Sequence, residues 1–162
     1  MIPLSLAVAL HALAAVVWVG GMMFAYAFLR PVAGRALEGP ARLALWRGVF
    51  ARFFPVVWVT IAVLLLTGYY MVLGPFGGFG AVGQHIHAMH GLALVMAAIF
   101  AHLFFAPWKR FRRAVDAGDH EKGAAELARI GRFVAVNLVL GLIVVVVATG
   151  GATGTSVPAA PR

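Results

Sequence analysis

A chain of 162 residues that is 63% hydrophobic and only 11% charged, with a mean hydropathy of +0.97, has too little polar surface to cover a globule in water, where about a quarter of residues carry charge. Cysteine is absent, which excludes disulfides, thiolate metal sites, thioether-attached haem and cysteine nucleophiles. The net charge of +8 does not mark a nucleic-acid binder, because every charged side chain except Arg162 falls within 30–52 or 109–132.

Four apolar runs cover 3–29, 53–73, 85–106 and 133–149. Each approaches or exceeds the ~20 residues that cross about 30 Å of hydrocarbon at 1.5 Å per residue. The runs are too long and too uniform for spanning strands. The sequence therefore predicts an all-α integral membrane protein, an up-down bundle of four transmembrane helices forming one domain over 1–150. The segment 151–162, rich in Gly, Ala, Pro, Ser and Thr, is expected to be a flexible tail.

In chain order, Ala25-Tyr26-Ala27 looks like a signal-peptide cleavage site. No basic residue precedes the first run, however, and the run exceeds a signal core, so it is expected to stay as a span. Arg30-Pro31 and Arg52-Phe53-Phe54-Pro55 are expected at membrane boundaries. Arg42 to Arg47 mixes charge with helix formers, so the second helix is expected to start inside the loop. The stretch 74–84 is Gly-rich and uncharged. In the next loop Asp119 is expected to cap a helix, with Glu121 in its first turn, that runs into the fourth span. His120 in that loop is expected to be solvated. Twelve of the 13 Lys and Arg lie in the two basic loops. Positive-inside orientation then puts those loops in the cytoplasm and both termini, with the Gly-rich loop, on the opposite side.

The informative residues are polar groups within the spans, which are costly in lipid and usually face the bundle interior. No Asp, Glu, Lys or Arg lies between the span ends, so a proton-relay carboxylate or voltage sensor has no candidate. Five of the six histidines do lie in spans: His11, His85, His87, His90 and His102. Counting from the outer ends puts His11 and His90 at similar depth, roughly 8–12 Å in. First and third helices of such a bundle are diagonal, so two imidazoles facing each other there can be axial ligands of one haem b. Ala7, Ala14 and Ala15 flank His11, and Ala93 and Ala97 flank His90, leaving room for a flat ring. His87, one turn above His90, can bond a haem propionate.

A second chemistry lies in His85-Ile86-His87-Ala88-Met89-His90. On a helix His87 and His90 share one face, and His85 and Met89 another. Imidazole with thioether suits copper, methionine favouring Cu(I). Nearer the cytoplasm, Met22, Met23, His102 and Asn137 can form a second metal layer; the simpler expectation is a His102–Asn137 hydrogen bond. Tyr69 and Tyr70 lie near the outer surface and can donate to a cofactor. No serine triad, phosphate loop or helical zinc-hydrolase motif is present.

The ordered set of motifs resembles the small four-span members of the copper-resistance protein D (CopD-type) membrane family. The residues that carry the likeness are Leu10-His11-Ala12-Leu13-Ala14-Ala15-Val16-Val17-Trp18-Val19-Gly20-Gly21-Met22, Arg52-Phe53-Phe54-Pro55, Thr67-Gly68-Tyr69, His87-Ala88-Met89-His90-Gly91 and Asn137-Leu138-Val139-Leu140-Gly141-Leu142. The resemblance implies a bacterial inner-membrane protein, with both termini then periplasmic, and copper handling, usually import. The chain is also similar to the bacterial four-span haem-binding protoporphyrinogen oxidase family, with methionine at Met89 where that family has lysine. Two functional expectations follow. The favoured one is a bis-histidine b-type haem protein in electron transfer, a membrane oxidoreductase in class, with a quinone or an oxygen species as partner. The alternative is a copper-binding or copper-import protein using His85, His87, Met89, Met22 and His102. The lipid bilayer is the expected surrounding, no nucleic acid is expected, and homo-oligomerisation is left open.

Overall fold

The computed structural model describes residues 2–153, and every regular element among them is helical. α1 covers Leu4–Met23 and passes through a π-helical segment, Phe24–Leu29, into α2, Arg30–Ala36. α3 covers Gly39–Leu73, α4 Gln84–Phe105, α5 Pro107–Asp116 and α6 His120–Thr153. Four helical stretches are long and apolar enough to cross a membrane, Leu4–Ala36, Gly39–Leu73, Gln84–Asp116 and His120–Gly151. The chain is a multi-pass membrane protein.

The helices outrun the apolar stretches that announce them. α3 begins fourteen residues before Phe53 because Pro40 sits in its first turn, where the missing N–H has no partner to lose. Leu43, Trp46, Phe50 and Phe54 then recur at three- and four-residue steps and are all buried. α6 begins at Asp119, whose Oδ1 accepts the Lys122 backbone N–H at 3.1 Å, the N-cap bond expected of it. The Lys122 ammonium and that N–H hold the Asp119 carboxyl below its ordinary range. The cap is therefore intact at neutral pH and is lost as pH falls through the lowered value. Neither Pro31 nor Pro55, expected at membrane boundaries, ends its helical stretch. Pro31 follows the π segment, whose wider turn relieves the clash of its ring with the preceding turn. Pro55 is interior to α3, a position that membrane-spanning helices tolerate. At the other end, α6 carries on through 151–153; the rest of the expected tail lies outside the described residues.

Within lipid, helices associate through shape and van der Waals contact rather than through expulsion of water. α1 packs closely along α3, and α4 along α6. Glycine permits close approach of α1 to α3 and of α1 to α6. A Cβ at Gly21 would stand 2.5 Å from the Phe53 ring, and one at Gly141 2.9 Å from the Val19 side chain. The two helix pairs are joined by an aromatic layer: Phe54–Phe100 at 5.5 Å, Trp58–Phe100 at 5.3 Å and Trp18–Phe100 at 6.3 Å between ring centres, all edge-on. At the basic end α5 lies across the bundle, with Phe111 fully buried against Phe50 and Trp108. Arg47 there forks onto both carboxylate oxygens of Asp116, at 2.7 and 3.1 Å.

Candidate metal site

His11 belongs to the buried stripe of α1, between Ala7 and Ala14 and followed by Trp18 and Met22. The stripe repeats at three and four residues, so it turns His11 toward α3. Its Nδ1 lies 2.8 Å from the Thr67 hydroxyl. That hydroxyl has one proton, and the Val63 carbonyl at 2.6 Å takes it. Thr67 is therefore the acceptor toward His11, and the Nδ1 of His11 carries the hydrogen. This tautomer is assigned from the bonding pattern. It leaves the lone pair on Nε2, the arrangement by which an outer partner orients a metal-binding imidazole. Gly68 makes room beside the ring: a Cβ there would lie 3.4 Å from the His11 Cε1.

His90 comes from α4. Its Nε2 is 3.3 Å from the Tyr69 hydroxyl, a long bond that an incoming ligand can displace cheaply. The ring stands edge-on to Tyr69 at 5.2 Å and tilted to Phe79 at 5.4 Å. Tyr69, expected to donate to a cofactor, here meets His90, while Tyr70 turns away and donates to the Ile2 carbonyl at 2.6 Å.

The two histidines line one cavity of about 360 Å³ at the Gly-rich end of the bundle, within the usual range of ligand sites. All four spanning helices and the 74–83 loop contribute to its walls. Trp18 lies on its lining, and Ala15, Gly68, Ala93 and Gly141 keep its sides thin. Of the small neighbours expected beside His11 and His90, Ala15 and Ala93 are on the lining, whereas Ala7, Ala14 and Ala97 are not. Three thioethers face the same cavity, Met71, Met89 and Met96. Two imidazoles with three thioethers form a soft donor set that suits Cu(I). The haem expected from the sequence fits these walls less well. Its iron would find two imidazoles, but among the described residues no Lys or Arg lines the cavity to meet its propionates.

The rest of the histidine-rich segment diverges. His87 rests on Phe79 at 5.9 Å between ring centres, on the His90 side. His85 packs against α6, where a Cβ at Gly151 would collide with its ring. His85 and Met89 therefore do not act together, and among the described residues no three of His, Cys, Asp and Glu converge on one point. The inner layer is also dispersed. Met22 is buried and lines a different cavity. His102 is exposed, its ring 5.2 Å from that of Phe133. Asn137 donates to the Met96 carbonyl at 3.1 Å, not to His102. Six residues separate Met96 from His102, about 120° around the helix, so His102 points away from the face that Asn137 meets.

Sequence reasoning missed Met71, Met96 and the part played by Thr67. The signals were present. Met96 lies two turns after Met89 on one face, and Met71 lies one turn after Gly68. Replacing Thr67 with Val keeps the shape and removes the acceptor. Thr67→Val should weaken metal binding about 10–100-fold, with unchanged helicity, and Thr67→Ser should restore it. Metal titration alongside circular dichroism checks both.

The family model described as copper resistance protein D matches residues 47–150. The matched segment contains Thr67, His90 and the three cavity methionines and begins after His11. No curated protein and no solved structure matches the chain.

Proposed function

The chain belongs to the copper resistance protein D family, and on that premise we propose that it handles copper as Cu(I), bound by His11 and His90 with Met71, Met89 and Met96. The observation that carries this reading is the shared cavity: soft donors from α1, α3 and α4 line one apolar space at the Gly-rich end. A monovalent soft cation costs less to bury there than a divalent one. The His11 tautomer leaves Nε2 free to bind, and the loose Tyr69 contact leaves His90 easy to recruit. Copper is the substrate in this reading, and no redox step is required. Support for copper over haem b comes from the family and from the cavity lining, which among the described residues holds three methionines and no Lys or Arg.

The proposed setting is the bacterial inner membrane, with the basic loops cytoplasmic and the Gly-rich end periplasmic. Copper would then enter from the periplasm, and the Trp18–Phe54–Phe100 aromatic layer separates its site from the basic end. Import is the direction this arrangement suits. A phosphatase fused to the C-terminus should be active. An inactive phosphatase fusion with a fluorescent protein fusion at the same point would reject the orientation.

The test of function is purification from cells given ample copper and haem. The expected product is colourless, holds one Cu(I) per chain and has no Soret band. A low-spin Soret spectrum that disappears in His11→Ala and His90→Ala would replace copper with haem b.

A further inference from the structure

A second cavity, of about 270 Å³, lies at the basic end, beyond the aromatic layer. Its floor is apolar, formed by Met22, Phe50, Phe54 and Val134, while Arg30 and Arg42 stand on its lining. Four basic side chains near this end have carboxylate partners: Arg47 has Asp116, Arg110 and Arg129 share Glu126, and Lys122 has Asp119. Among the described residues neither Arg30 nor Arg42 meets a carboxylate. Arg42 is nonetheless half-buried, and a guanidinium withdrawn from water without a counter-charge is costly.

Arg30 is exposed on this lining, and its neighbours set its direction. Arg30 lies over the Tyr26 ring at 5.1 Å. A Cβ at Gly131 would sit 3.7 Å from the Arg30 Cζ, in ordinary contact, so the guanidinium lies directly against α6 at that point. Met22, Tyr26, Arg30 and Gly34 all reach the lining at steps of four. In a regular α-helix each such step drifts about 40° around the axis. The π segment Phe24–Leu29 widens the turn and keeps the four on one side, and π segments recur at functional sites.

We propose that this cavity binds an anionic phospholipid, with Arg30 and Arg42 holding the phosphate and one acyl chain lying on the apolar floor. Guanidinium forks match phosphate oxygens, and the bond is charge-assisted. Arg30 and Met22 are eight residues apart, about 12 Å along the axis, so the cavity runs from head-group level into hydrocarbon. A free inorganic anion would neutralise the arginines but leave the floor unfilled. A metal cation would be repelled. The site stands apart from the copper reading and does not depend on it.

The experiment uses the full chain in neutral detergent. Thermal unfolding is followed with added phosphatidylglycerol, phosphatidylcholine or inorganic phosphate, and retained lipid is counted by native mass spectrometry. Phosphatidylglycerol should raise Tm and remain at one per chain, while phosphatidylcholine and inorganic phosphate should do neither. Arg30→Gln combined with Arg42→Gln should weaken phosphatidylglycerol binding by at least about tenfold, the factor carried by one lost charge-assisted bond. Arg35→Gln with Arg113→Gln removes the same charge outside the cavity and should keep wild-type affinity. Gly131→Leu fills the space beside Arg30 with both charges kept, and it should reproduce the loss if the arginine pair fails to fold. Equal stabilisation by phosphatidylcholine or by inorganic phosphate would overturn the lipid assignment, as would a folded Arg30/Arg42 double variant or Gly131→Leu variant that binds like wild type.

Discussion

His11→Ala and His90→Ala should each weaken Cu(I) binding by more than about a hundredfold, exceeding the 10–100-fold typical of losing an outer-shell partner. The reason is geometric. Each imidazole comes from a different helix, and the remaining cavity donors are thioethers, weaker ligands that cannot replace a nitrogen at that wall. Alanine is also well accepted in these helices, since Ala14, Ala15 and Ala93 already line or flank the cavity. His85→Ala and His120→Ala serve as controls. His85 packs on α6 and His120 is exposed, so both variants should bind like wild type. Competition against a chromogenic Cu(I) chelator measures all four. Wild-type affinity in either His11→Ala or His90→Ala would remove that residue from the site.

The second large effect is expected from the sulfurs. Met71→Leu, Met89→Leu and Met96→Leu together should reduce Cu(I) affinity by at least about a hundredfold while leaving Cu(II) binding much less changed, because thioether selects the softer ion. Leucine conserves volume, and such swaps usually cost less than about 1.5 kcal/mol each. The triple variant should therefore stay folded, a condition that circular dichroism checks. Equal losses for Cu(I) and Cu(II) would mean that the cavity was disturbed rather than its donors removed. No loss for either would leave copper held by the imidazoles alone.

The membrane architecture was legible because lipid imposes it: long apolar runs and confined charge have few other solutions. His11 and His90 were legible by depth counting, since both line the cavity where the two estimates meet. Element ends were less readable. Arg30-Pro31 and Arg52-Phe53-Phe54-Pro55 mark expected membrane boundaries but not helix ends, since the helical stretches run through both prolines. The His102–Asn137 pairing failed because a depth match says nothing about azimuth; Asn137 found a backbone carbonyl instead. Met71 and Met96 were passed over because a methionine in a span resembles ordinary core until its neighbours on other helices are known. The balance between haem and copper shifted for the same reason. Two histidines alone suit either; Met89 was read as a copper ligand beside His85, while Met71 and Met96, which join it on the cavity lining, were not singled out.

X-ray absorption at the copper edge of the purified, Cu(I)-loaded chain tests the central claim most directly. The account predicts one Cu(I) per chain with both imidazole nitrogen and thioether sulfur in its first shell, the sulfur signal vanishing in the Met71/Met89/Met96→Leu variant and the imidazole signal falling in His11→Ala. A shell of nitrogen and oxygen without sulfur would contradict it. So would a protein that takes up no copper and instead carries iron with a low-spin haem spectrum.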